Sequence, residues 1–249
     1  MINRLTLLAM FVLGIIASNV MSTPVPFAAF IATLLFALPA IYALYKTTNT
    51  KTTVIAFISL ALFALIIEEI AVATGVPYSG FAYSNLLGTT LIAVPLATPL
   101  SFFALAIGAW AYAANSTLHP GYNKKKHVQT WSIKQRFILG AATAIILVIA
   151  DLILDPAATA LGLWIWASPG AYYGVPAINF VGWALVGFLA GVKLTFIVPK
   201  PDIKLTHSLQ LIIAYWVGVS AGLGLMIPAG LGAIISVLAY HRYRHLKGK

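Results

Sequence analysis

The chain has 249 residues, of which 61% are hydrophobic and only 8% are charged, and its mean hydropathy is +0.97. Soluble domains carry about 25% charged residues, so this composition excludes a soluble globular protein and indicates a polytopic membrane protein. The absence of cysteine excludes disulfides, thiolate metal sites and a cysteine nucleophile.

Apolar runs of near membrane-spanning length recur along the chain and predict an all-α fold, because backbone polar groups in lipid must be satisfied within the segment. We place eight transmembrane helices at residues 5–21, 25–45, 54–74, 88–113, 137–154, 177–197, 208–226 and 229–240. With a cytoplasmic N-terminus, eight spans leave all fifteen Lys and Arg residues in cytoplasmic segments, as the positive-inside rule requires. We therefore expect a multi-pass protein of the cell membrane, with both termini cytoplasmic and one transmembrane domain over residues 1–249. The net charge of +10 reflects this topology, and no nucleic-acid partner is expected.

The C-terminal runs at 208–226 and 229–240 are short and rich in glycine, so they could also form one long broken helix. Seven spans would leave the four C-terminal cations, Arg242, Arg244, Lys247 and Lys249, on the outer side, which favours two separate helices. GxxxG pairs at Gly187/Gly191 and Gly218/Gly222 predict close helix packing.

Four of the five acids lie at the span ends opposite the cations. Glu68 and Glu69 end the third span, and Asp151 and Asp155 end the fifth. The spacing of Asp151 and Asp155 places both carboxyls on one face of a helix, whereas Glu69 projects about 100° away from Glu68. Acids at membrane depth without cation partners are functional-site candidates. We therefore assign Glu68, Asp151 and Asp155 as the candidate catalytic residues.

An uncharged stretch dense in aromatic, glycine and proline residues follows Asp155 and joins spans five and six, as a loop or a re-entrant segment. Pro156 is expected to end or redirect the fifth helix. Asp155-Pro156 could also start a new helix, with Asp155 as its cap and Pro156 at the first position. Asn179 could likewise cap the sixth helix. The aromatic residues could form an interfacial belt, but their position beside the acids favours a pocket. The residues assigned to substrate binding are Glu69, Tyr78, Tyr83, Trp164, Trp166, Tyr172, Tyr173, Asn179 and Trp183.

These residue types suit proton-driven chemistry on a lipophilic alkene. Desolvation disfavours a charged carboxyl, so at least one acid should stay protonated and act as a general acid, while an ionised neighbour acts as a base. Aromatic faces can stabilise a transient carbocation. We expect no metal and no redox cofactor.

Two blocks of sequence resemble the integral-membrane carotenoid biosynthesis family that contains the carotenoid hydratases. The first block runs Glu68-x₅-Thr74-Gly75, Pro77-Tyr78-x-Gly80-x-x-Tyr83, Leu87-Gly88 and Val94-Pro95-Leu96. The second runs Asp151-x₃-Asp155-Pro156, Gly162-x-Trp164-x-Trp166 and Pro169-Gly170-x-Tyr172-x-Gly174-x-Pro176-x-x-Asn179-Phe180-x-Gly182-Trp183. The likeness covers residues 60–190, and the extra spans at 1–45 and 208–240 carry no matching motif.

The resemblance implies that water adds across a terminal carbon–carbon double bond of an acyclic carotenoid dissolved in the bilayer, leaving a tertiary alcohol. The product could pass to other carotenoid enzymes. The doubled acid Glu68-Glu69 also resembles the paired glutamates of small membrane lycopene cyclases, and Asp151-x₃-Asp155 resembles the aspartate pair of membrane prenyltransferases. A proton-coupled carrier is a third alternative. It would need polar residues along several spans, and these spans are nearly pure Ala, Leu, Ile, Val and Phe.

Overall fold

The computed structural model describes residues 3–20, 25, 27–117, 121–123, 128–199 and 201–247. The helices within these ranges are α1 (Arg4–Val20), α2 (Ala28–Thr47), α3 (Thr50–Thr74), α4 (Ala97–Thr117), α5 (Ile133–Ala160), α6 (Ala177–Ile197), α7 (Thr206–Gly222) and α8 (Met226–Lys247). The strands are β1 (Phe81–Tyr83), β2 (Thr90–Leu91), β3 (Val94–Pro95), β4 (Gly121–Asn123), β5 (Val128–Thr130) and β6 (Trp164–Trp166). Short 3-10 helices cover Asn85–Leu87 and Ile203–Leu205. The all-helical prediction is confirmed.

Five of these helices, α2 to α6, are long and apolar enough to cross a membrane. Helix α1 and the apolar part of α8, Met226–Arg242, are shorter. At 1.5 Å per residue, 17 helical residues rise about 25 Å. Helices α4 and α7 are largely buried, and α7 has thirteen buried residues. The chain is therefore a multi-pass membrane protein, and the eight-span count stays a prediction.

Glycine allows helices α1 and α7 to pack closely, and their contacts define a common direction. Gly218 lies against the backbone of Phe11, and one turn later Gly222 lies against Ser18. A Cβ at Gly14 would collide with the backbone oxygen of Tyr215. Because later residues of α1 meet later residues of α7, the two helices are parallel.

Neighbouring helices along the chain run in opposite directions. Gly191 of α6 packs on Gly140 of α5, and Gly187 packs on Ala144, which is an antiparallel arrangement. Ser208 Oγ, at the start of α7, accepts from the Ala40 backbone N–H late in α2 at 3.0 Å. Arg242 Nη2, late in α8, lies 3.5 Å from the carbonyl of Ser116, late in α4. The α7–α8 segment is thus two antiparallel helices, which decides against one broken helix.

This alternation separates the charges between two ends of the bundle. The acidic end contains Glu68, Glu69, Asp151 and Asp155, where odd-numbered helices finish and even-numbered helices begin. The basic end contains the other helix termini, with Arg4, Lys46, Lys51, Lys134, Arg136, Lys193, Lys204 and Arg242. Residues 124–126, 200 and 249, counted above as cytoplasmic cations, lie outside the described residues. The fifth acid, Asp202, lies at the basic end and caps the Ile203–Leu205 turn.

Two predictions about helix ends are wrong. Pro156 does not end α5, which continues to Ala160, and Asp155 is inside the helix rather than at a cap. Proline at 156 cannot donate to the carbonyl of Leu152, four residues earlier. The Tyr172 hydroxyl donates to that carbonyl at 3.0 Å, so the helix passes the proline without an unsatisfied group. The N-cap of α5 is Ser132, in a capping box with Gln135.

Helix α4 begins at Ala97 rather than near residue 88, because the residues before it form a hairpin. Strands β2 and β3 pair antiparallel at the acidic end, with Leu91 opposite Val94. Glu69 Oε1 accepts from the backbone N–H groups of Ala93 and Val94, at 3.1 and 3.3 Å. The hairpin therefore depends on an acid of α3.

Candidate active site

One amide group joins the two aspartates of α5. Asn179, in the first turn of α6, donates from Nδ2 to Asp151 Oδ2 at 2.7 Å and to Asp155 Oδ2 at 2.6 Å. The three side chains are 2%, 2% and 3% exposed for Asn179, Asp151 and Asp155. Asp151 Oδ1 is buried and has no hydrogen-bond partner among the described residues. The spacing of four residues on α5 and one amide on α6 thus produce a closely coupled carboxyl pair.

Glu68 reaches the same region from α3 with a tyrosine as its partner. The Tyr83 hydroxyl donates to Glu68 Oε2 at 2.7 Å, and the Tyr78 hydroxyl lies beside the same carboxyl. Burial raises the pKa of the Tyr83 phenol well above its ordinary value, and the Glu68 carboxyl raises it further. Tyr83 therefore stays protonated and remains a donor to Glu68.

A two-stranded sheet covers the acidic end and joins the two sequence blocks. Strand β1 pairs antiparallel with β6, placing Phe81 opposite Trp166 and Tyr83 opposite Trp164. Because side chains alternate across a strand, these four aromatic residues share one face, and Ile165, which is 64% exposed, lies on the other. We call this sheet the lid. Its register brings Tyr83, the partner of Glu68, next to Trp164.

Beneath the lid lies a cavity of about 640 Å³. Glu68 and Asp155 both belong to its wall, together with Asn179 and the aromatic face of the lid. Tyr78 and Trp183 also line it, with their ring centroids 6.2 Å apart. Among the described residues that form this wall there is no Lys, Arg or His. The cavity is therefore apolar and aromatic, and it contains two carboxyl groups that come from different helices, α3 and α5.

Four of the assigned residues lie outside the cavity wall. Asp151 lies behind Asp155 and reaches the site through Asn179. Glu69 points to the β2–β3 hairpin, as its angle from Glu68 on the helix requires. Tyr172 bonds the carbonyl of Leu152, and the Tyr173 hydroxyl lies 3.5 Å from the backbone nitrogen of Ile227. These tyrosines support α5 and the start of α8 rather than the wall.

Sequence reasoning missed several residues of the wall. Phe81 packs on Trp166 at 5.4 Å between ring centroids, and Phe102 of α4 packs on Trp183 at 6.1 Å. The alternation Phe81-x-Tyr83 facing Trp164-x-Trp166 was a readable signal of a strand pair. Phe102 gave no such signal, because it lies within an ordinary apolar helix.

The arrangement can move protons in a dry, aromatic environment. The indole N–H of Trp164, on the cavity wall, is buried and has no hydrogen-bond partner among the described residues. In the part of the chain that the structure describes, no three His, Asp or Glu side chains converge to hold a metal ion.

These features define a helical membrane protein whose apolar cavity contains two carboxyl groups and is suited to a lipid-dissolved ligand. The chain belongs to the carotenoid biosynthesis protein family, which it matches over residues 8–239. That match extends beyond the motif blocks at 60–190 in both directions. A bisanhydrobacterioruberin hydratase from Haloarcula japonica is 27% identical over 227 residues, covering 84% of this chain and 70% of the relative. No solved structure matches the chain. The resemblance inferred from the motifs is confirmed.

Proposed function

We propose that the protein is a carotenoid hydratase, which adds water across a terminal carbon–carbon double bond of an acyclic carotenoid to give a tertiary alcohol. The observation that carries the proposal is the presence of Glu68 and Asp155 on the wall of one apolar, aromatic cavity. Hydration needs an acid for the alkene and a base for the water, and one carboxyl can serve each role. The hydratase relative supports the same assignment.

In the first step Asp155 donates its carboxyl proton to the less substituted carbon of the terminal double bond. A carbon–hydrogen bond forms, the π bond breaks, and the positive charge resides on the neighbouring tertiary carbon. Asp155 suits this role because it lines the cavity, whereas Asp151 is held behind it by Asn179. Asp151 is a positioning residue that keeps the coupled pair in place.

In the second step a water oxygen bonds to the tertiary carbon and Glu68 accepts the proton that the water loses. Tyr83 holds Glu68 Oε2, which orients the carboxyl toward the cavity. The net change is the addition of one water molecule, and proton return from Glu68 to Asp155 completes the cycle without electron transfer.

The aromatic walls protect the cation between the two steps. Trp164 and Trp166 lie on the inner face of the lid, and an aromatic face attracts a nearby cation. The same walls keep water at the polar positions of the cavity. The cation is then more readily hydrated than deprotonated.

The structural arrangement gives less support to the alternatives. A prenyltransferase needs Lys or Arg beside its aspartates to bind diphosphate, and the described cations of the helices lie at the opposite end. Glu69 bonds the hairpin backbone, so it does not form a paired-glutamate site with Glu68.

Mass spectrometry of carotenoids after incubation in ¹⁸O-labelled water, with a metal chelator present, tests the proposal. We expect a product heavier by one water molecule, with its hydroxyl oxygen derived from the solvent. A cyclised product without label would indicate an end-group cyclase. Loss of activity on chelation, restored by magnesium, would indicate a metal-dependent reaction such as prenyl transfer.

A further inference from the structure

The cavity continues far beyond the acids, along the N-terminal helix. Residues Thr6, Met10, Leu13, Ala17 and Val20 of α1 all line it. Their spacing of three and four residues places them on one helix face, beside the face that packs on α7 through Gly14. From Val20 at the acidic end to Thr6 the helix rises about 21 Å. The cavity is thus an elongated trough parallel to the helix axes.

Helices α2 and α7 complete the trough with apolar side chains. Phe36 of α2 and Tyr215 of α7 both line it, with ring centroids 5.4 Å apart, and Trp216 lies beside them. The hydroxyl of Thr6 donates to Asn3 Oδ1, just before α1, and that of Thr33 donates to the carbonyl of Ala29, so both are satisfied locally. Away from the acidic end, the trough selects a ligand by shape and apolar contact.

We propose that this trough binds the polyene chain of the substrate, with the α1 stripe as its main contact surface and the reacting end beneath the lid. This inference rests on the proposed function and adds the binding site of the unreactive part of the molecule. A conjugated chain is straight and stiff, which matches a straight trough about 21 Å long that ends at two carboxyl groups. Its occupant is the substrate chain because the trough is continuous with the site of proton transfer.

Cysteine protection tests the contact directly, because the chain has no cysteine of its own. Leu13→Cys places a thiol in the trough, and Val12→Cys places one on the neighbouring face outside it. The two parent side chains are matched in exposure, at 44% and 45%. Purified variants in detergent are labelled with an apolar maleimide, with or without an acyclic tetraterpene polyene whose terminal double bonds are saturated.

With this unreactive polyene at ten times its Kd, mass action predicts about tenfold slower labelling at Leu13→Cys and no change at Val12→Cys. Met10→Cys should behave like Leu13→Cys. A shorter polyene that fills only the part of the trough nearest the acids should protect Ala17→Cys but not Met10→Cys. Equal protection on both faces, or none on either, would overturn the proposal.

Two further experiments distinguish polyene binding in the trough from lipid binding and from failure of the proposed function. Equal protection of Leu13→Cys by a phospholipid without polyene would show that the trough holds lipid, which also overturns the proposal. The Asp155→Asn, Leu13→Cys double variant should lose hydration activity and keep polyene protection. Because protection requires no turnover, protection of Leu13→Cys combined with an absence of hydration by the parent protein, which retains Asp155, would refute the hydratase assignment alone.

Discussion

At the scale of single residues, the site depends on how three acids are paired with neutral donors. Asn179 divides its two N–H groups between Asp151 and Asp155, and Tyr83 serves Glu68. Neutral donors satisfy carboxyl oxygens without supplying a compensating cation, so they leave proton exchange available to the acids. A lysine or arginine in the same positions would hold the acids permanently ionised.

Replacing Asp155 with Asn should lower hydration by at least about 10²–10⁴-fold, the usual contribution of one positioned acid or base. The amide cannot donate a carboxyl proton, yet it keeps the shape of the side chain. Product formation by membranes containing the variant measures the effect. Asp202→Asn at the basic end is the matched control and should retain activity. Equal loss in both variants would point to misfolding, and full activity of Asp155→Asn would exclude Asp155 as the acid.

At the scale of elements, helix α5 crosses a proline because another segment supplies the missing interaction. The Tyr172 hydroxyl takes the place of the absent N–H of residue 156 at the carbonyl of Leu152. The continuation of the helix to Ala160 positions β6, and β6 forms the lid with β1. The aromatic loop therefore maintains the length of the helix that carries both aspartates.

The pair Tyr172→Phe and Pro156→Ala tests this account as a double-mutant cycle. Tyr172→Phe alone should lower the free energy of unfolding by about 0.5–1.5 kcal/mol, because a partly buried carbonyl loses its partner. In the Pro156→Ala background the restored backbone N–H at position 156 can bond that carbonyl, so the same change should cost less. Denaturation in detergent gives the four values. Additive effects would show that the two positions are independent.

At the scale of the whole molecule, the chain separates its acids from its cations across the bundle. Alternating helix directions, visible in the α1–α7 and α5–α6 contacts, carry this pattern through the described chain. By the positive-inside rule we expect the basic end to face the cytoplasm. In that orientation the lid and the candidate catalytic acids would face the opposite leaflet, and a substrate dissolved in the bilayer would reach them along the proposed trough.

Reporter fusions test this orientation. A green fluorescent protein fused after Lys249 should fluoresce, because that terminus follows the basic end of α8. An alkaline phosphatase inserted between residues 160 and 170 should be active, since this enzyme needs the outer compartment. An inactive phosphatase between residues 160 and 170 would indicate a cytoplasmic location and contradict this orientation. A non-fluorescent fusion after Lys249 would contradict eight spans.

The sequence by itself determined the membrane class, the all-helical fold, the charge asymmetry and the family, because these follow from composition, run length and local spacing. It also identified the acids and most of the aromatic residues near them. Only the tertiary structure decided which of these share a cavity. Asp151, Glu69 and Tyr172 differ from Asp155, Glu68 and Trp164 in the direction of their side chains, and that depends on neighbouring helices. The local rule likewise predicts a helix end at Pro156, because it cannot include Tyr172, which lies on another segment and satisfies the freed carbonyl.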